Sequence, residues 1–501
     1  MKSHEASRRV FIKTTAAAAA GIALMPGYGF ITNRVAKPMR RSFGKLGFEV
    51  TTLGLGGQAS LQWTPEDVDP AKIILKAFSK GVNYFDTSNL YGPSQVNFGK
   101  AFNELSLNPS RAGYDEALRR SIFLTSKTHL RYAKGGDNTP GVSSRTNGPA
   151  GTYTIDDLKR SLSQMFGDGQ GNYPAGAYLD MVLIHNLNTM EEVDALYEGL
   201  YDTDPRAERI GALAALRDYR DGTNLTGLNP KEEKLIRHIG FSGHYSAAVM
   251  IEMIQRDKTD LLDAMLVAIN ANDRLNFNMQ HNVIPVAAAK NMGIIAMKVF
   301  ADGAMYTKEP HWTRGPAEVV RTVGTQSLPS RPLIEYSLST AGIHTAIIGI
   351  GQISDDPAAC QLEQNLSAAQ IAPSGLNATD RISVEKMTRL IKEGKTNYFQ
   401  LENKGLTAPA HVKANQRKAG NDRVIELSWD TAYAGDMPLN SYEIWRDDAL
   451  VSTMNHKPQT SKTPFAYSEK LTDDRSHAYA IVATDIAGRT AKSDVLRVEG
   501  A

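Results

Sequence analysis

Between residue 41 and roughly residue 370, short apolar runs alternate with stretches of helical periodicity, and this alternation constrains the fold more than any other feature. Val82–Asp86, Ile122–Thr125, Met181–His185, Ile236–Ser242, Ala264–Asn270, Gly293–Phe300 and Thr345–Gly349 read as strands. Pro70–Lys80, Ile155–Met165, Ala247–Arg256 and Asn282–Lys290 carry apolar residues at three- and four-residue spacing and read as helices. Such alternation favours a parallel sheet with helices outside it. Eight units would close into a (β/α)8 TIM barrel, whose functional residues sit at the C-terminal ends of the strands. Two stretches interrupt the pattern. Arg131–Tyr153, after the third strand, and Gly303–Ser330, after the seventh, are loops long enough to wall a binding site.

Composition changes near Leu401. Ile425–Trp429, Ser441–Arg446 and Ala478–Ala483 alternate apolar and polar residues at period two, separated by turns such as Ala434-Gly435-Asp436. This predicts a small all-β sandwich over 405–501 with Trp429, Tyr442 and Tyr479 in its core. The first 35 residues read as an address: Ser7-Arg8-Arg9-Val10-Phe11-Ile12-Lys13 precedes an apolar stretch running to Met25, too short to span a bilayer. The barrel is therefore expected over 40–400.

The 56 basic and 54 acidic residues leave a net charge of +2, which argues against nucleic acid as a partner. A single cysteine, Cys360, excludes an intrachain disulfide and any Cys-only metal site, and no metal site is expected.

The chemistry is carried by four polar residues, each at or just past a strand end: Asp86, Tyr91, Lys127 and His185. Reducing a carbonyl places negative charge on its oxygen, which must be protonated. A Tyr beside a Lys held by a carboxylate can supply that proton, and a His can orient the carbonyl.

Order and wording here resemble the aldo-keto reductases. The resemblance rests on Gly44–Val50 followed by Leu53-Gly54-Leu55-Gly56-Gly57, on Phe85-Asp86-Thr87-Ser88 with Tyr91-Gly92, on Ser126-Lys127-Thr128, on Asp180–His185, on Ile239–Gly243 and on Ala296-Met297-Lys298. It implies that Tyr91 is the general acid, that Lys127 lowers its pKa, that Asp86 pairs with Lys127 and that His185 orients the carbonyl. It implies NADP or NAD as cofactor, bound without a Rossmann GxGxxG, with Gly57, Ser242, Asn270, Lys298, Gly349, Gly351 and Asn365 as cofactor-binding residues. Gly243, Leu266 and Met297 depart from the family's pattern, and Asp355 and Asp356 replace the cation that would clamp a 2′-phosphate, so NAD stays open. The N-terminal segment resembles a twin-arginine signal, implying export as a folded protein to the periplasm or beyond by that machinery. Residues 405–501 resemble a fibronectin type III domain. The expectation is an exported NAD(P)-dependent oxidoreductase acting on a small carbonyl compound. A non-catalytic nicotinamide-sensing barrel and a wall- or glycan-associated binding protein remain alternatives.

Overall fold

The computed structural model describes residues 38–419 and 422–500. The Ser7–Lys13 motif and the apolar stretch to Met25 lie outside the described residues. Eight parallel strands close into a barrel: β1 (Leu53–Gly56), β2 (Tyr84–Asp86), β3 (Phe123–Thr128), β4 (Leu179–Leu187), β5 (Ile236–Gly243), β6 (Ala264–Ala268), β7 (Gly293–Met297) and β8 (Thr345–Ile348). Neighbours in sequence are neighbours in the barrel, and β8 closes it on β1 through Ala346–Leu53, Ile347–Gly54 and Ile348–Leu55. The strands are apolar on both faces because the barrel interior and the surrounding helices each take one side; Leu183, Ile239, Val267 and Ile295 are fully buried or nearly so. A hairpin of Arg40–Ser42 with Glu49–Thr51 precedes the barrel.

Local signals fix the helix ends. Helix α1 (Pro70–Ser79) starts where the Asp69 carboxylate accepts the Ala71 N–H at 3.0 Å and Pro70 presets the first turn. Helix α2 (Ala212–Asp221) stops at Gly222, which is left-handed at φ +72°.

Four strands are shorter than their sequences imply, β2, β6 and β8 by one or two residues and β7 by three. The Gly293–Phe300 run is a strand only as far as Met297, because Lys298 turns into the left-handed region at φ +59°. Ala301 and Asp302 follow at φ +51° and +57°. Backbone held in this region by non-glycine residues clusters at functional sites.

The chain divides into two compact units. The first contains all eight barrel strands. The second comprises Tyr245–Asp260, Asp273–Asn291 and Gln400–Ala501, so it takes in the helices Ala247–Gln255 (α3) and Val283–Ala289 (α4) as well as the C-terminal segment. In that segment, β9 (Ala410–Ala419), β10 (Asp422–Asp430) and β13 (Phe465–Leu471) form one antiparallel sheet. Strands β11 (Leu439–Arg446), β12 (Ala449–Asn455), β14 (His477–Asp485), β15 (Thr490–Lys492) and β16 (Leu496–Val498) form the other. Ile425, Trp429, Tyr442, Ile444, Tyr479 and Ile481 from both sheets share one core. The expected sandwich is thus present, with the three aromatics inside it.

The sandwich is anchored on α3, α4 and the segment before α4 by buried amides. Asn282 brackets Ala434, accepting its N–H at 2.8 Å and donating to its carbonyl at 3.1 Å. Gln255 donates to the Gln459 carbonyl at 2.8 Å, and Phe277 meets Tyr433 edge-on at 5.2 Å.

Candidate active site

Asp86 ends β2, Lys127 lies within β3 one residue from its end, and His185 lies near the end of β4, so one rim of the barrel collects all three. Tyr91 follows β2 in a turn in which its N–H reaches the Ser88 carbonyl at 3.1 Å. Gly57 makes this corner possible. A Cβ there would lie 2.5 Å from the Asp86 carbonyl oxygen and 2.9 Å from Thr87 Cα, so only glycine lets the two loops approach.

The four residues meet. Lys127 Nζ is ion-paired with Asp86 and donates to the Thr87 carbonyl at 2.8 Å. Asp86 and Lys127 are each 1 % exposed. The second Asp86 oxygen is buried without a partner. The Tyr91 hydroxyl lies 3.4 Å from His185 Nε2, and Ser88 Oγ lies 3.1 Å from His185 Nδ1. Ser88 Oγ also accepts the Leu90 N–H at 3.2 Å.

Burial holds the Tyr91 phenol well above the usual tyrosine range, and the Asp86 and Asp302 carboxylates push the same way. The Lys127 ammonium sits 4.7 Å from the centre of the Tyr91 ring and is ion-paired with Asp86. Burial also lowers His185 well below its ordinary value, with Lys127, His129, His244 and Arg131 adding to the effect, so the ring is neutral.

An open cleft of about 910 Å³, counting its solvent-open mouth, runs from this tetrad across the barrel rim. Gly57, Lys298 and Gly349, three of the predicted cofactor-binding residues, line it together with Asp86, Tyr91 and Met297. The others are placed differently. Ser242 Oγ accepts the Asn186 N–H at 2.9 Å. Asn270 is fully buried and committed to Lys298, Asn272 and Asn397. The Gly351 N–H is held by Gln361 at 2.8 Å, and Asn365 is buried in helix Gln361–Ala368. Leu266 is buried in β6, and Asp355 and Asp356 lie in an exposed turn after β8.

Sequence reasoning missed Asp302. Burial pushes its carboxyl up, but Lys298, Lys308 and the Thr313 N–H outweigh that and hold it down at about 2. Lys298 Nζ lies 3.5 Å from Asp302 and 4.5 Å from the centre of the Trp312 ring, and Tyr398 donates to Asp302 at 3.2 Å. No motif marks Asp302, because its role depends on the left-handed turn after β7. The Gly303–Ser330 loop does wall the site: Thr313, Glu318, Val319 and Val320 line the cleft, and Arg321 crosses to Asp67 at 2.6 Å and Gln352 at 2.9 Å. Loop Arg131–Tyr153 is partly structured, with Tyr132–Lys134 pairing against Ile210–Gly211.

The family model for the aldo/keto reductases matches residues 52–318, more than half of the 501-residue chain. The chain belongs to the aldo/keto reductase family. Among curated relatives, an L-galactose dehydrogenase from Arabidopsis thaliana is 19 % identical over 366 residues, covering 70 % of this chain and 95 % of the relative. Two solved aldo-keto reductases from Klebsiella pneumoniae are similar at 15 % identity. One, in complex with NADPH, gives a TM-score of 0.41 and covers 71 % of this chain and 95 % of its own. The other, with NADP and acetate, gives 0.40, with 70 % and 94 % covered. As an aldo/keto reductase the protein is an oxidoreductase.

Proposed function

We propose that this aldo/keto reductase reduces a small carbonyl compound with NADP(H) or NAD(H), using Tyr91 as general acid and base. The observation that carries the reading is the convergence of Tyr91, His185, Lys127 and Asp86 at one end of a glycine-lined cleft. The cleft suits a nicotinamide dinucleotide: Gly56, Gly57 and Gly349 line it, Lys298 supplies positive charge, and Asp86 leaves an oxygen unpaired. Gly57, Lys298 and Gly349 would hold it, and when bound it supplies the hydride.

The chain's own residues supply the rest. His185 donates from Nε2 to the carbonyl oxygen and orients it beside the Tyr91 hydroxyl. As the carbonyl carbon takes the hydride, its oxygen becomes negative and takes the Tyr91 proton, giving an alcohol. Burial keeps the phenol protonated beforehand, which suits the direction of reduction. Lys127 compensates the buried Asp86 and limits the cost of the transient phenolate.

Export by the twin-arginine machinery to the periplasm, supported by Ser7–Lys13 alone, belongs to the same proposal. So does the fibronectin III-like character of 405–501, supported by its two sheets and shared core, and a cell-envelope or glycan contact through it. The test is NADPH and NADH oxidation with a panel of aldehydes and sugars, in both directions, L-galactose placed first because of the Arabidopsis relative. Tyr91→Phe is expected to lose about 100-fold or more in kcat while nucleotide affinity, read by fluorescence, is kept. Wild-type protein that binds neither nucleotide would overturn the proposal.

A further inference from the structure

The pairing of β4 with β5 slips at one place: Ile184 faces Phe241, and the next matched pair is Leu187 with Gly243. The two β4 residues inside the slip are His185 and Asn186, and Asn186 is left-handed at φ +55°. A bulge of this kind bends a strand and re-aims its side chains, and here it carries the imidazole that meets Tyr91. Its backbone groups leave the ladder and need partners elsewhere. Ser242 Oγ takes the Asn186 N–H at 2.9 Å, and Arg131 donates to the Asn186 carbonyl from Nη2 at 3.1 Å.

Arg131 is fully buried, as is its partner Glu192, 3.1 Å away. Glu192 also accepts the Asn188 N–H at 2.9 Å, and Asn188 returns to the Asn186 carbonyl at 2.9 Å. Two of the three guanidinium nitrogens of Arg131, Nε and Nη1, are buried without a partner. Two charges taken out of water with incomplete hydrogen bonding burden folding, and apolar replacement of such a pair is often neutral or stabilising. What the pair does provide is geometric.

We propose that Arg131, fixed by Glu192, is a positioning residue that holds the β4 bulge at Asn186 and thereby aims the His185 imidazole at the Tyr91 hydroxyl. This rests on the proposed role of Tyr91 and His185. It assigns a function to Arg131, the third residue after β3, which the catalytic chemistry itself does not use. Substituting Arg131 alone would leave Glu192 buried and unpaired, so the informative variant removes both charges.

The experiment compares wild type, R131K and the double variant R131L/E192L by thermal melting, by imidazole 15N NMR of histidine-labelled protein with His185 assigned through His185→Gln, and by steady-state kinetics. The double variant is expected to fold with a modestly lowered melting temperature, because the Asn188 N–H loses its acceptor, and to bind nucleotide within two-fold of wild type. Its His185 signal is expected to depart from the wild-type tautomer pattern, and kcat to fall at least ten-fold with KM within three-fold. R131K should recover part of both the signal and kcat. An unchanged tautomer pattern with kcat within two-fold overturns the inference, as does a joint collapse of melting temperature, nucleotide affinity and kcat. If wild type shows no Tyr91-dependent turnover, the proposed function fails, and the imidazole signal alone then decides for or against the positioning role.

Discussion

The Lys127 ammonium faces the ring of Tyr91, 4.7 Å from its centre, while the Tyr91 hydroxyl points to His185 Nε2 at 3.4 Å. Lys127 is bound to Asp86, so the phenol keeps a pKa raised by burial and then by the Asp86 and Asp302 carboxylates. A raised phenol stays protonated as pH increases. Carbonyl reduction is therefore expected to hold its kcat through about pH 10, the ordinary tyrosine value. A kcat profile in that direction checks this. A descending limb centred near 8 would mean that Lys127 does acidify Tyr91.

Asp86 and Lys127 are too deeply buried for either to stand alone. Lys127→Met should destabilise the protein by about 3–5 kcal/mol, because an unpaired carboxylate is left in the barrel. The double change D86N/K127M should recover much of that stability while remaining inactive. Urea denaturation of the three proteins, read against turnover, separates the two effects.

Asp302 links stability to pH. Its folded carboxyl, at about 2, lies below the unfolded value near 3.9. The stability it contributes is thus complete above the unfolded pKa and is lost as pH falls through about 2. Asp302→Asn should cost roughly 2 kcal/mol at pH 7, and the difference from wild type should vanish near pH 2. Denaturant melts at pH 7, 4 and 2.5 test the trend.

The second unit should not tolerate loss of its anchors. Asn282→Ala would leave the buried N–H and carbonyl of Ala434 without these partners, at about 1–3 kcal/mol for each group. Truncation before residue 405 would strip Asn278, Asn282 and Gln255 of acceptors and uncover Phe277. The shortened chain is expected to aggregate during expression. A soluble truncated protein with wild-type melting behaviour would instead mark 405–501 as an independent appendage.

The sequence by itself determined the barrel, the sandwich and the tetrad. Strand and helix are local consequences of apolar periodicity, and in a barrel whose strands run in chain order the strand ends are adjacent without further information. Asp86, Lys127 and His185 were legible because each sits at or near the end of an apolar run, and Tyr91 because it follows one closely. The tertiary structure decided what depends on contacts distant in sequence. Asp302 is low because the chain turns left-handed after Met297 and brings Lys298 and Lys308 to one carboxylate. Ser242 is occupied because a bulge one strand away exposes the Asn186 N–H. Helices α3 and α4 cluster with the sandwich because buried amides there meet backbone groups some 150 to 200 residues along the chain. Periodicity reports which face of an element is apolar, and it carries no record of the polar atom that will lie opposite a particular backbone group once the chain has closed.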